Sequence, residues 1–373
     1  MTRIILSLIL IASGTFAAER RAKNVILFLG DAGGIPTLHA ASLYKHNHPQ
    51  KLFLQSLPYI ALSDTSAADA WVTDSAAGMS AIVTGQKTNN GVISQSAAAV
   101  RGKQDGEMLQ TILEHAEQRG LSTGVLTNMV ITDATAAACY AHSNDRSRAG
   151  EIFAQVLHPR FGDGVDVLIG AGRDRVIEST AKLGIQIESA LREEGIAFRD
   201  SLAAISDQDR RVAALFNTHD FDVSDAVRRA IRILSKNRKG YFLMVEWDAH
   251  TDNLRRGLEQ VIQLDAAIGE TASMTDPDTL ILFTADHSFD LRVRGGKPGQ
   301  PILPEEGAGA AAKARPTIRV DDGHTGEQVL VAAQGPGAER VHGFLTNVDL
   351  FHIMMAAYGW DKTGAPSGGR AAR

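Results

Sequence analysis

The main body of this chain opens with a strand-length run that is almost wholly apolar and ends in an acid: Asn24-Val25-Ile26-Leu27-Phe28-Leu29-Gly30-Asp31. Runs of the same kind recur at Thr123–Thr127, Val165–Ile169, Tyr241–Val245, Thr279–Phe283 and Gln328–Ala333. A strand that is apolar at successive positions, rather than alternate ones, needs cover on both faces. Between the runs, apolar residues return with a helical period. They do so at Met108, Ile112, Leu113 and Ala116, at Val227, Ala230, Ile231 and Leu234, and at Leu254, Leu258, Val261 and Ile262. Strands alternating with helices predict an α/β fold: a single large domain with a mostly parallel central β-sheet and helices on both faces.

With 373 residues the chain can bury a large core as one big domain or two ordinary ones. No internal repeat or linker divides it, so residues 19–373 read as one domain, with the Gly-, Pro- and Ala-rich span 291–317 as a long surface loop. A net charge of −5 offers no basic stripe for nucleic acid. Residues 1–18 read as a signal peptide. Arg3 supplies the positive start, Ile4 to Ala12 an apolar core too short to span a bilayer, and Thr15-Phe16-Ala17-Ala18 a small-residue cleavage site. That reading predicts a periplasmic or secreted protein with no membrane span after cleavage; the alternative is an uncleaved anchor. Cys139 is the only cysteine, which leaves no intrachain disulfide to stabilise an exported fold.

Polar residues stand at the C-terminal ends of the predicted strands: Asp31, Glu246 and Asp286. In open α/β sheets that edge is where ligands bind. The run Trp71-Val72-Thr73-Asp74-Ser75-Ala76-Ala77-Gly78-Met79-Ser80 sets a hydroxyl beside a carboxylate near a helix N-terminus, where an anion is favoured. Ser75 there is a candidate nucleophile that still needs an activator. The rest of the chain offers metal ligands for that task. Asp286-His287 can aim an oxygen and a nitrogen at one ion. Glu246-Trp247-Asp248-Ala249-His250-Thr251-Asp252 concentrates acids and a histidine at the end of a buried strand. Asp321-Asp322-Gly323-His324 reads as a turn that offers a further histidine, and Arg146 suits a bidentate grip on phosphate. Each feature has a plainer reading alone: a polar turn, a solvated helix start, a surface arginine.

Taken together, Gly30-Asp31, Val72-Thr73-Asp74-Ser75-Ala76-Ala77, Asp133-Ala134-Thr135, Arg146, Thr284-Ala285-Asp286-His287 and His324-Thr325-Gly326 resemble the alkaline phosphatases, in that family's order and at compatible separations. Asp166 to Arg173 and Gly335 to Ala338 extend the resemblance over nearly all of the mature chain. It implies hydrolysis of phosphate monoesters through a phosphoserine at Ser75, two zinc ions, one magnesium ion and a homodimer. The resemblance assigns Asp31, Ser75, Asp286 and His287 to the first zinc. It assigns His250 and His324, with a carboxylate from residues 246–252, to the second. Asp31, Thr135 and an acid such as Glu246 fall to magnesium, Arg146 clamps the phosphoryl oxygens, and Asp74 orients Arg146. A phosphate dianion repels a nucleophile, and two metals about 4 Å apart neutralise the attacking and leaving oxygens in an in-line displacement.

The chain departs from the family pattern in places. The family usually carries a Glu at the strand end, an Asp about five residues on and a His four residues later, whereas here His250 follows Glu246 by four. Either Glu246 keeps the magnesium role and Asp248 serves zinc, or Glu246 takes the zinc role and magnesium loses its acid. The first register is preferred because Glu246 directly ends the strand; Asp252 is a third candidate. Ala32 replaces a glycine and Ala136 a proline, with modest backbone effects expected. The short chain predicts a more open site. Rival readings are a phosphodiesterase or sulfatase on the same scaffold, and a degenerate, non-catalytic member that binds metal or phosphate.

Overall fold

The computed structural model describes residues 20–303 and 317–360. The expected signal peptide, residues 1–18, and much of the expected loop lie outside the described residues. In chain order the strands are β1 (Asn24–Asp31), β2 (Tyr59–Asp64), β3 (Ser122–Val130), β4 (Val167–Ala171), β5 (Ala197–Arg199), β6 (Val212–Phe216), β7 (Tyr241–Asp248), β8 (Thr279–Thr284), β9 (Ser288–Val293), β10 (Ile318–Thr325), β11 (Val329–Gln334) and β12 (Gly343–Thr346). The helices are α1 (Ile35–His46), α2 (Ser75–Thr84), α3 (Ile112–Gln118), α4 (Ala134–Tyr140), α5 (Ala149–Ala154), α6 (Arg173–Ala181), α7 (Ile187–Glu193), α8 (Val223–Leu234), α9 (Leu254–Met274) and α10 (Asn347–Tyr358).

Ten strands form one sheet in the order β12-β2-β11-β8-β1-β7-β3-β4-β6-β5. Among the described strands of that sheet, β11 alone runs against its neighbours, pairing antiparallel with β8 and β2. The architecture is therefore the expected mostly parallel α/β sheet. Side chains along β1 alternate between its faces. Val25, Leu27 and Leu29 pack with Met79 and Ile82 of α2 and Leu350 of α10. Ile26 and Phe28 pack with Leu38 of α1, Leu234 of α8 and Leu258 of α9. A strand with helices on both sides has no wet face, which is why its sequence is unbroken by polar residues.

Some local expectations needed correction. Met108 is exposed and precedes α3, which starts at Ile112 behind a Thr111–Glu114 capping box. Leu291, Arg292 and Val293 belong to β9, so the surface loop starts later than residue 291. The segment around His324 is part of β10 rather than a turn. It pairs with β9 in a separate two-stranded sheet, with a register shift between Val320 and His324.

At the N-terminal edge of the main sheet, Glu117 and Asp166 are buried side by side. The Thr123 hydroxyl donates to Glu117, and the Thr123 amide donates to Asp166 at 2.9 Å. Burial, with the negative charges of Asp166 and Asp163 adding to it, pushes Glu117 up to about 8. The folded state thus holds a proton that an unfolded glutamate has already released, so this contribution is present at acid pH and is lost as pH rises toward 8. Glu117→Gln should gain roughly 2 kcal/mol on wild type between pH 6.5 and 8.5. Urea unfolding at both pH values checks this, and parallel pH profiles would contradict it.

Candidate active site

The parallel strands deliver their acids to one rim. Asp31 ends β1, Asp248 ends the neighbouring β7 directly opposite it in register, and Asp286-His287 follow β8 at once. Facing them is the N-terminus of α2, capped by Asp74, whose carboxylate accepts from Ala77 N at 3.0 Å. The small residues of α2 allow this close approach: a Cβ on Gly78 would lie 2.9 Å from the Asp286 carbonyl oxygen. Ser75 is the first helical residue and is buried.

His287 lies at the centre of the cluster. Its Nε2 is 3.4 Å from Ser75 Oγ, 3.4 Å from Asp31 Oδ1 and 3.4 Å from Asp286 Oδ2. Asp31 Oδ1 and Asp286 Oδ2 have no hydrogen-bond donor. Burial lowers the pKa of His287 and so keeps the ring neutral. Burial, then the charge of Asp286, raises the pKa of Asp31. Two carboxylate oxygens, a ring nitrogen and a hydroxyl oxygen converge here with little to offset the carboxylate charge, an arrangement that a cation relieves. Ligands about 2.0–2.1 Å from a tetrahedral zinc stand about 3.4 Å from one another, which is the separation of Nε2 from each of these three oxygens.

His324 and His250 adjoin the same point. The His287 and His324 rings stack with centroids 3.7 Å apart, and one nitrogen each from His250, His287 and His324 lies within 4.8 Å of the others. His324 Nδ1 is 3.2 Å from the Thr73 carbonyl, a bond that leaves Nε2 free as a ligand. His250 Nδ1 is 2.9 Å from Asp248 Oδ1. Burial alone would lower the pKa of His250, but that bond and the charge of Asp31 push it up to about 9. Asp248 therefore fixes the His250 ring through Nδ1, the same nitrogen that lies 3.9 Å from Asp31 Oδ1. Asp252 is exposed and joins neither of the ligand groupings found among the described residues.

Deeper in the rim, Glu246 is buried with Oε2 unpartnered, and Thr135 Oγ1 is likewise buried and unpartnered. Burial, then the charge of Asp31, raises the Glu246 pKa well above the carboxylate range, while the Thr127 side chain bonds it. Arg146 reaches the site from the loop after α4. Its NH1 donates to Asp74 Oδ2 at 3.0 Å, and the same oxygen accepts from Gly91 N at 2.9 Å. One carboxylate thus caps the helix of Ser75 and holds Arg146.

Sequence reasoning passed over Asn90 and gave Asp133 and the Thr73 carbonyl no role of their own. Asn90 ties the nucleophile's loop: its Oδ1 accepts from Asp74 N at 2.8 Å and its Nδ2 donates to the Val72 carbonyl at 3.1 Å. Asp133 lies 3.9 Å from Arg175 and has its pKa raised by burial. The Thr73 carbonyl orients His324. Asp133-Ala134-Thr135 was visible as a motif, whereas an asparagine sixteen positions from its partner has no local signature.

The sequence model of the alkaline phosphatase family matches residues 22–212 and 216–320. This chain belongs to the alkaline phosphatase family. The tissue-nonspecific alkaline phosphatase isozyme of Homo sapiens is 27% identical over 441 aligned positions, covering 90% of this chain and 83% of the relative. Alkaline phosphatase 4 of Bacillus subtilis (strain 168) is 26% identical, covering 92% of this chain and 90% of its own length. Among solved structures, alkaline phosphatase from the Antarctic bacterium TAB5 superposes with a TM-score of 0.77 at 23% identity, covering 92% of this chain and 99% of its own. A mutant of that protein carries Mg bound in its M3 site. Alkaline phosphatases are hydrolases of phosphate monoesters, and this chain shares their fold. No described helix is long and apolar enough to cross a membrane.

Its departure from the alkaline phosphatase pattern at Ala32 has a structural cost. Ala32 has φ +63°, a left-handed conformation that a residue with a Cβ adopts reluctantly. The strain is local, since Ala32 N donates to Asp286 Oδ1 at 3.3 Å and so fixes a site carboxylate. Ala32→Gly should stabilise the fold by about 1 kcal/mol, after allowing for the freedom glycine gains when unfolded. A thermal melt checks this; a lower midpoint would contradict it.

Proposed function

We propose that this chain is a metal-dependent phosphomonoesterase that acts through a phosphoserine at Ser75. The observation that carries the reading is the approach of Ser75 Oγ, Asp31 Oδ1 and Asp286 Oδ2 to His287 Nε2 at a common 3.4 Å. Asp31, Ser75, Asp286 and His287 would hold one zinc, and His250, His324 and Asp248 a second. Asp31, Thr135 and Glu246 would hold magnesium, which agrees with two unpartnered buried oxygens on Glu246 and Thr135. This arrangement favours the register in which Glu246 keeps the deeper position and Asp248 serves the histidine side. When bound, divalent ions supply positive charge that lowers hydroxyl pKa values and neutralises oxyanions.

Ser75 Oγ attacks phosphorus as the bond to the ester oxygen breaks, the alcohol leaves, and a water later releases phosphate from the serine. Arg146 holds two non-bridging phosphoryl oxygens, its position fixed by Asp74, and its bonds strengthen as charge shifts toward those oxygens. Asp248 orients His250, and the Thr73 carbonyl orients His324. The chain would work after export, in a periplasm or outside the cell, as a homodimer. The aligned length of the human relative exceeds the 373 residues of this chain, so that relative carries insertions absent here, in keeping with a more open site.

Turnover of p-nitrophenyl phosphate, bis-p-nitrophenyl phosphate and p-nitrophenyl sulfate by the metal-loaded protein tests the assignment. The monoester should be cleaved fastest. Faster diester or sulfate cleavage would replace the reading with one of its rivals, and turnover of none would mark a degenerate site.

A further inference from the structure

The nucleophile's loop begins with an indole that the described residues leave largely bare. Trp71 is 88% exposed and Val72 40% exposed, while Thr73 and Ser75, two and four residues on, are buried. A single exposed apolar residue is ordinary, but here Trp71 and Val72 together leave apolar surface bare on a loop that runs directly into the nucleophile's helix. Its backbone is not loose. Asn90 holds the loop at the Val72 carbonyl and the Asp74 amide. From the other side the loop is backed by Gly326, where a Cβ would come within 2.9 Å of the Trp71 carbonyl oxygen. Thr73 in turn contacts His324. The indole therefore hangs from a segment fixed to the helix cap, to a candidate ligand histidine and to the strand end beyond it. Four residues span at most about 14 Å, so Trp71 stays within that reach of Ser75, and its carbonyl abuts Gly326, two residues past the candidate ligand His324.

We propose that Trp71 is a stacking platform for the leaving group and that it biases this enzyme toward phosphate monoesters whose alcohol carries a planar ring, a nucleobase or an aryl group. The proposal rests on the phosphomonoesterase reading and adds a specificity residue to it. Stacking needs only a π-face, so it tolerates many rings, and a platform already fixed in place loses little freedom when a ring settles on it. Because the ring sits away from the reacting phosphorus, the contact is the same in ground and transition states, and it acts on KM.

The test compares wild type, Trp71→Ala and Trp71→Phe, as the full metal-loaded chain, on adenosine 5′-monophosphate, p-nitrophenyl phosphate and glycerol phosphate. Trp71→Ala should raise KM for the nucleotide roughly five- to tenfold, at the low end of base–aromatic stacking, with kcat held. The Phe variant should recover most of that loss, and glycerol phosphate should change less than about twofold in either variant. A KM effect on p-nitrophenyl phosphate as well would show that aryl rings use the platform, and an effect confined to the nucleotide would restrict it to nucleobases. Equal losses on glycerol phosphate and nucleotide, or no change on any ester, would overturn the platform while leaving the phosphomonoesterase reading intact. Turnover of no ester by wild type would overturn that reading instead. Sedimentation of Trp71→Ala supplies the remaining check. A fall in mass with loss on every ester would show that the indole is covered by a second copy of the chain, contrary to the proposal.

Discussion

Ser75→Ala should remove phosphomonoesterase turnover by a factor on the order of 10³–10⁵ while leaving the protein folded. Among the described residues the hydroxyl has one polar contact, the 3.4 Å approach to His287 Nε2, and makes no cap or strand bond whose loss would weaken the fold. The cap of α2 comes from Asp74, one residue earlier, and survives the substitution. Any lost activity is therefore lost chemistry, and an unchanged melting temperature is the control. Wild type mixed with substrate and quenched in acid should carry phosphate on Ser75, detectable by mass spectrometry, and the alanine variant should not. Turnover within about tenfold of wild type would remove Ser75 from the mechanism.

Exhaustive chelation should abolish activity and soften the protein at the same time. The rim holds Asp31, Glu246 and Asp286 almost wholly buried, with an unpartnered oxygen on each. Among the described residues the ion-pair partners of Asp31 and Asp286 are histidines, which burial or metal binding leaves without the charge to balance them. Ions present at a thousand times their dissociation constant contribute about 4 kcal/mol to the folded state, and chelation removes that contribution. The expected result is a melting temperature several degrees lower in chelator, restored together with turnover by added zinc and magnesium. Full activity after chelation, or an unchanged melt, would contradict the metal reading. Glu246→Gln should keep the fold and blunt the response to magnesium in particular.

The parallel sheet and its active rim were legible in the sequence because their causes are local. A strand buried on both faces must be continuously apolar, and an acid that ends such a strand stands at the ligand edge, so Asp31, Glu246 and Asp286 could be placed without coordinates. Ser75 beside Asp74 at a helix start could be singled out from local chemistry, whereas His287 and Arg146 each had a plainer reading alone and drew their expected roles from the resemblance of the whole set. What escaped depends on distant pairing. β6 is only a short run, Val212–Phe216, recognisable as a strand once β4 and β5 flank it. The direction of β11 is set by its partners and not by its composition. Asp133-Ala134-Thr135 was visible, but Asp133 acquires its electrostatic setting from Arg175 on another helix. The compressed 246–252 segment can be aligned in two registers by counting residues alone; in the structure Asp248 contacts His250 and Glu246 bonds Thr127, contacts that no residue count could supply.

His324 differs from its neighbours in origin, for it is carried by the β9–β10 hairpin-like ribbon and not by the large sheet. A two-stranded ribbon has little register memory of its own, and sliding one strand by a single position reverses every side chain on it. The irregularity between Val320 and His324 fixes which way this imidazole faces. Lengthening or shortening β10 by one residue next to that irregularity would therefore swing the ring out of the cluster while the ten-stranded scaffold stayed whole. The histidine cluster and the body of the molecule can thus fail separately.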